Sequence, residues 1–84
     1  MTWQIKYHNS AYRFLKANKL LEKTEKQITI FLKGNGSADI SKLKGKLAGN
    51  YRLRLGKVRV ILEIDFEKKV IYLKKADFRG DVYK

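Results

Sequence analysis

The sequence predicts an α+β fold, a small single domain spanning residues 1–84 in which a helical hairpin packs on an antiparallel sheet in the order β-α-α-β-β-β. Three observations predict it. Apolar residues recur at helical spacing only in the front half, strict period-two alternation takes over from Tyr51 onward, and turn-forming residues separate the alternating runs. A chain of this size buries only about 60 % of its unfolded surface, so one core is expected, with an open surface site rather than a deep pocket.

The elements follow in order. Trp3, Ile5 and Tyr7 alternate with Gln4, Lys6 and His8, the period of a half-buried strand. Asn9-Ser10 is expected to cap a helix that opens with Ala11-Tyr12-Arg13-Phe14-Leu15-Lys16, and Asn18 breaks it. Leu20, Leu21, Ile28, Phe31 and Leu32 then mark one face of a second helix, with Glu22, Lys23, Glu25 and Lys26 opposite. Gly34 closes that helix as the residue after its cap. Gly34 to Asp39 reads as a loop, and Ser41 to Asn50 as a basic connector that Leu43 and Leu47 could pin to the core. Tyr51 to Leu55 alternates strictly, Gly56-Lys57 fits a two-residue turn of the II′ type, and Val58 to Ile64 returns. Asp65-Phe66-Glu67-Lys68 turns the chain into a last strand over Lys69 to Lys74. Ala76 to Lys84 is left as a tail, extended or briefly helical.

Composition narrows the chemistry. Twenty Lys and Arg against eight Asp and Glu give a formal charge of +12, and a 44 % hydrophobic content with ten aromatics is too rich for a disordered basic tail. The charge therefore sits on a folded domain, which points to a polyanionic partner. No cysteine means no disulfide, no thiol nucleophile and no Cys-ligated zinc, and the single His8 excludes a histidine pair or a multi-histidine metal cage. No metal and no small-molecule cofactor are expected. The apolar runs are far shorter than the roughly 18 residues of a membrane span, and Met1 to Lys6 has no signal-peptide core. A soluble, cytoplasmic protein without membrane contact is expected.

The hairpin concentrates arginine. A two-residue turn pairs Leu55 with Val58, Arg54 with Arg59, Leu53 with Val60 and Arg52 with Ile61, so Arg52, Arg54 and Arg59 share the face opposite Leu53 and Val60. Like charges opposite each other across a ladder are destabilising. A bound phosphate would cancel that repulsion and accept the bidentate fork of arginine, whereas arginine stems that merely shield sheet surface would give the same pattern. In the tail, Arg79 and Tyr83 are four apart and share a face if it coils, which suits a phosphate and a stacked base or an aromatic that closes the core. Lys42, Lys44, Lys46, Lys57 and Lys74 are candidate RNA phosphate contacts, with a solvated charged patch the equal alternative for Lys42, Lys44 and Lys46. His8 is expected on the surface and Trp3 under the helices. Glu63, Asp65 and Glu67 are not read as a catalytic carboxylate pair.

The runs Lys42-Leu43-Lys44-Gly45, Gly49 to Asp65 and Phe78-Arg79-Gly80-Asp81-Val82-Tyr83-Lys84 closely resemble the RelE/ParE superfamily of type II toxins. The stretch Tyr51-Arg52-Leu53-Arg54, followed by Gly56, Arg59-Val60-Ile61 and Glu63-Ile64-Asp65, is the specific part. This resemblance implies the RelE-like fold and, for the RelE branch, a metal-independent endoribonuclease that cuts message in the ribosomal A site by attack of a ribose 2′-OH on the adjacent phosphate. By position, Arg52 and Arg54 match the family's basic pair on the second strand, Arg59 the arginine that stabilises transition-state charge, and Arg79 and Tyr83 the C-terminal basic residue and tyrosine. Well-studied members carry lysines at the strand pair, and some an arginine where Asp77 stands. Arginine stays protonated, so a base would have to come from Tyr83, Lys44 or Lys46. The resemblance also implies a cognate acidic antitoxin as partner, besides ribosome and mRNA. A ParE-like toxin that inhibits DNA gyrase by binding, or a noncatalytic RNA-binding module, are the alternatives.

Overall fold

A computed structural model describes residues 3–34, 36, 38–43 and 49–78 of the chain. The elements are β1 (Gln4–Tyr7), α1 (Asn9–Ala17), α2 (Leu21–Leu32), β2 (Ile40–Lys42), β3 (Asn50–Leu55), β4 (Val58–Asp65) and β5 (Val70–Phe78). The strands form one five-stranded sheet in the order β1-β5-β4-β3-β2, and both helices pack on one of its faces.

Local chemistry sets the helix limits. Helix α1 begins at Asn9, two residues before the expected opening at Ala11, because His8 is the cap: its Nδ1 accepts from the Ser10 N–H at 3.2 Å. At the other end the Lys19 N–H reaches the Lys16 carbonyl and the Leu20 N–H the Leu15 carbonyl, with Lys19 at φ 58°. That is the Schellman closure, made here by lysine in the left-handed region instead of glycine. The Asn18 side chain also caps, donating to the Phe14 carbonyl at 2.8 Å. Helix α2 buries Thr24 and Ile28, one turn apart, and Thr24 Oγ1 satisfies itself on the Leu20 carbonyl at 2.7 Å. Gly34, at φ 77°, follows the Lys33 cap as expected.

Three expectations for the sheet need correction. The sheet is mixed, because β1 adds to the edge of β5 in parallel, with Ile5 beside Ile71 and Tyr7 beside Leu73. The chain between the two strands runs through both helices to β2 at the far edge, and the antiparallel run β2-β3-β4-β5 then brings β5 back beside β1 in the same direction. Second, part of the basic connector is strand: Ile40–Lys42 pairs antiparallel with Tyr51–Leu53 and supplies the fifth strand. A three-residue edge strand is too short for its period to be read. Third, the last strand continues through Ala76 to Phe78, past the predicted end at Lys74.

The extension depends on a bulge. Leu73 and Ala76 both face the core, an odd spacing that straight alternation cannot meet. The register shifts between Ile61 and Leu62, so that Leu62 pairs with Leu73 and Ile61 with Lys75, leaving Lys74 as the extra residue of β5. The core then closes on Leu53, Val60, Leu62, Ile71 and Leu73 from the sheet and Ala11, Leu15 and Ile28 from the helices, all fully buried. Trp3 packs against this core and edge-on to Phe66 in the β4–β5 turn, at 5.9 Å between ring centres.

Candidate functional site

The face of the sheet away from the helices carries the arginines. Leu55 pairs with Val58, Arg54 with Arg59, Leu53 with Val60 and Arg52 with Ile61, the register of the two-residue turn. Gly56 takes φ 59° at the first turn position while Lys57 keeps a negative φ, the II′ signature.

The fold answers part of the repulsion that this register creates. Arg54 Nε lies 3.7 Å from Asp39 Oδ2, and the backbone N–H of Arg54 donates to the Asp39 carbonyl at 3.0 Å. Arg59 sits on the central strand opposite Asp77 and is buried, only 6 % exposed. Its Nη1 donates to the carbonyls of Gly56 at 2.6 Å and Val58 at 3.1 Å, which turns the guanidinium back over the hairpin. Arg52 is held from the edge strand, its Nη2 donating to Ser41 Oγ at 3.2 Å, while its Nε is buried without a partner. Among the described residues that is the one buried side-chain nitrogen or oxygen lacking a hydrogen bond. An unmet buried donor is costly, and here it belongs to a cation on a basic face.

The bulge adds cations to the same face. Lys74 Nζ reaches Asn50 Oδ1 at 3.2 Å and Glu63 Oε2 at 3.9 Å, and Lys75 pairs with Ile61, whose other register partner is Arg52. Long stems on both sides of Ile61 account for an isoleucine only 5 % exposed on the face that has no helices. Lys57 is exposed in the turn. Lys42, by contrast, pairs with Tyr51, whose ring meets Phe31 of α2. It therefore lies on the helix side of the edge strand, away from the arginines. Lys44, Lys46, Arg79 and Tyr83 lie outside the described residues.

Sequence reasoning missed Asp39, Ser41 and Lys75. The odd spacing from Leu73 to Ala76 was the available signal for Lys75. Nothing local marks Asp39 or Ser41, because their roles arise from the pairing of β2. Arg54 also lines a cleft of about 350 Å³ at the sheet edge, with Leu20, Lys23 and Gln27 opposite. No cluster of three or more His, Cys, Asp or Glu able to hold a metal occurs among the described residues. Among them, no helix is long and apolar enough to cross a membrane. The arrangement offers positive charge and hydrogen-bond donors from its three arginines, but no acceptor side chain among them to take a proton.

The small mixed sheet with two helices on one face matches the RelE-like toxin fold of solved structures. A chain of the RelE–RelB complex from Pyrococcus horikoshii superimposes with a TM-score of 0.69 at 28 % identity, covering 98 % of this chain and 100 % of that one. Chains of the RelB–RelE antitoxin–toxin complex from Methanococcus jannaschii (TM-score 0.66, 20 % identity, 93 % and 94 % covered) and of the YoeB–YefM complex from Staphylococcus aureus (0.60, 23 %, 94 % and 99 %) share the fold. By sequence, no family model and no curated protein matches. The chain is thus RelE-like in architecture over nearly its whole length.

Proposed function

We propose that the protein is the toxin of a type II toxin–antitoxin pair and that it cleaves mRNA in the ribosomal A site. The observation that carries this reading is the set of Arg52, Arg54 and Arg59 on the open side of a RelE-like sheet. In the reaction the ribose 2′-oxygen forms a bond to the adjacent phosphorus and the bond from phosphorus to the 5′-oxygen breaks, leaving a 2′,3′-cyclic phosphate. Charge builds on the non-bridging oxygens and the departing 5′-oxygen, where fixed guanidinium groups are most effective. Arg52, with its Nε unmet, and Arg54, whose carboxylate partner is half exposed, are the donors a phosphate reaches first. Arg59 contributes from beneath, its guanidinium fixed by two carbonyls before substrate arrives.

These arginines supply charge and positioning, and the 2′-proton leaves to a different group, Tyr83, Lys44 or Lys46. At a formal +12, the partner that silences the chain is an acidic antitoxin, the complementary charge for an on-rate set by electrostatic steering. The test is a translation reaction reconstituted from purified ribosomes, with message ends mapped by primer extension for wild type, Arg52→Ala and Arg54→Ala. Cuts at the A-site codon that fade in both variants support the reading. Intact message at doses that arrest cell growth overturns it, and a gyrase supercoiling assay then tests the ParE-like alternative.

A further inference from the structure

Of the nine aromatic rings in the described residues, eight form four edge-to-face pairs: Trp3 with Phe66, Tyr7 with Tyr12, Phe14 with Phe78, and Phe31 with Tyr51. Tyr72 is the ninth. Among the described residues it has no ring partner and its hydroxyl no hydrogen bond. It stands on the open face of β5, 36 % exposed, with Lys6 of β1 beside it in register on one side and Glu63 of β4 on the other. Lys74 lies 3.9 Å from the Glu63 carboxylate and answers its charge. The bulge that brings both Lys74 and Lys75 to this face begins two residues beyond Tyr72.

We propose that Tyr72, set between Lys6 and the Lys74-Lys75 bulge, is a base-stacking subsite for single-stranded RNA on the open face of the sheet. The inference rests on the nucleic-acid reading above and extends it to a residue that the arginine pattern does not include. An exposed ring with cations around it is the arrangement that single-strand binders use, the ring taking a base and the cations the flanking phosphates. Both of its register partners on the open face, Lys6 and Glu63, are charged, and neither offers the ring an aromatic contact. Its register partner Glu63 lies two residues along β4 from Ile61, the partner of Arg52, about 7 Å along the strand. One strand of RNA could therefore meet the arginines and the tyrosine with neighbouring nucleotides.

The experiment is fluorescence anisotropy of the full chain with a labelled 2′-O-methyl RNA, which lacks the free hydroxyl that cleavage requires, across a series of salt concentrations. Tyr72→Ala should weaken binding about 5- to 100-fold at fixed salt, with Tyr72→Phe within about twofold of wild type, since stacking needs the ring and not the hydroxyl. The salt slope should be unchanged in Tyr72→Ala, whereas Lys6→Ala should flatten it by about 0.7 through one lost phosphate contact. With an abasic oligonucleotide the Tyr72→Ala deficit should vanish. Equal affinity of wild type and Tyr72→Ala, a deficit that persists without bases, or absence of binding by wild type would each overturn the proposal. Failure of the cleavage reading is separable: Tyr72-dependent binding alongside uncut message would remove the nuclease and leave the subsite, and A-site cuts alongside Tyr72-independent binding would do the reverse.

Discussion

The ion pair between Asp39 and Arg54 restrains an arginine that the proposed chemistry needs, and Asp39→Asn measures by how much. The Nε to Oδ2 separation is 3.7 Å, with the side chains 52 % and 53 % exposed. Coulomb attraction at that distance is about 1.1 kcal/mol in bulk water. A screening length of about 8 Å at physiological salt and the entropy of fixing two exposed side chains reduce it to about 0.5 kcal/mol. The backbone hydrogen bond from Arg54 to the Asp39 carbonyl survives the substitution. Stability should therefore fall by no more than about 0.5 kcal/mol, a melting shift of at most about 4 °C for a domain of this size. RNA binding should move the other way. Without the competing carboxylate, Arg54 is free for phosphate, so low-salt affinity should rise by up to about sixfold, the equivalent of the unscreened attraction. The salt slope should steepen by up to about 0.7. Thermal melts and anisotropy titrations with the 2′-O-methyl RNA read both quantities. Unchanged affinity and slope would show that Arg54 does not contact phosphate, and a melting loss well beyond about 8 °C would show that Asp39 holds the β2 edge through more than this pair.

Two further predictions concern the frame. Burial first, then the hydrogen bond to Glu25 and the charges of Glu25 and Tyr12, push the Tyr7 phenol above its ordinary value of 10.0. The native state thus keeps a proton that the unfolded chain releases, so this contribution is complete below pH about 10 and is lost as pH rises beyond it. Melting temperature measured between about pH 9 and 11 should fall more steeply for wild type than for Tyr7→Phe, and parallel profiles would refute the coupling. His8→Ala removes the α1 cap and should cost about 0.5–1 kcal/mol in urea unfolding, with His8→Asn restoring it. Indifference to both substitutions would show that the Ser10 N–H is met by solvent at no cost.

The sequence by itself determined much of the architecture. The helix limits at Asn18 and Gly34, the turn at Gly56-Lys57 and the resulting register from Leu55 to Arg52 are local decisions, set by φ preference and side-chain period, and they put Arg52, Arg54 and Arg59 on one face. Tertiary structure decided what those arginines meet. Asp39 and Ser41 become partners only when β2 pairs with β3, and three edge residues carry too little pattern to announce that. The parallel docking of β1 on β5 joins residues more than sixty positions apart, a pairing that no local window contains. Arg59 is buried because β4 lies at the centre of the sheet, and centrality is a property of strand order. The bulge at Lys74 shares both origins: the odd step from Leu73 to Ala76 demands it, but only the opposing Ile61 and Leu62 of β4 fix where the extra residue falls and so turn two lysines toward the arginine face.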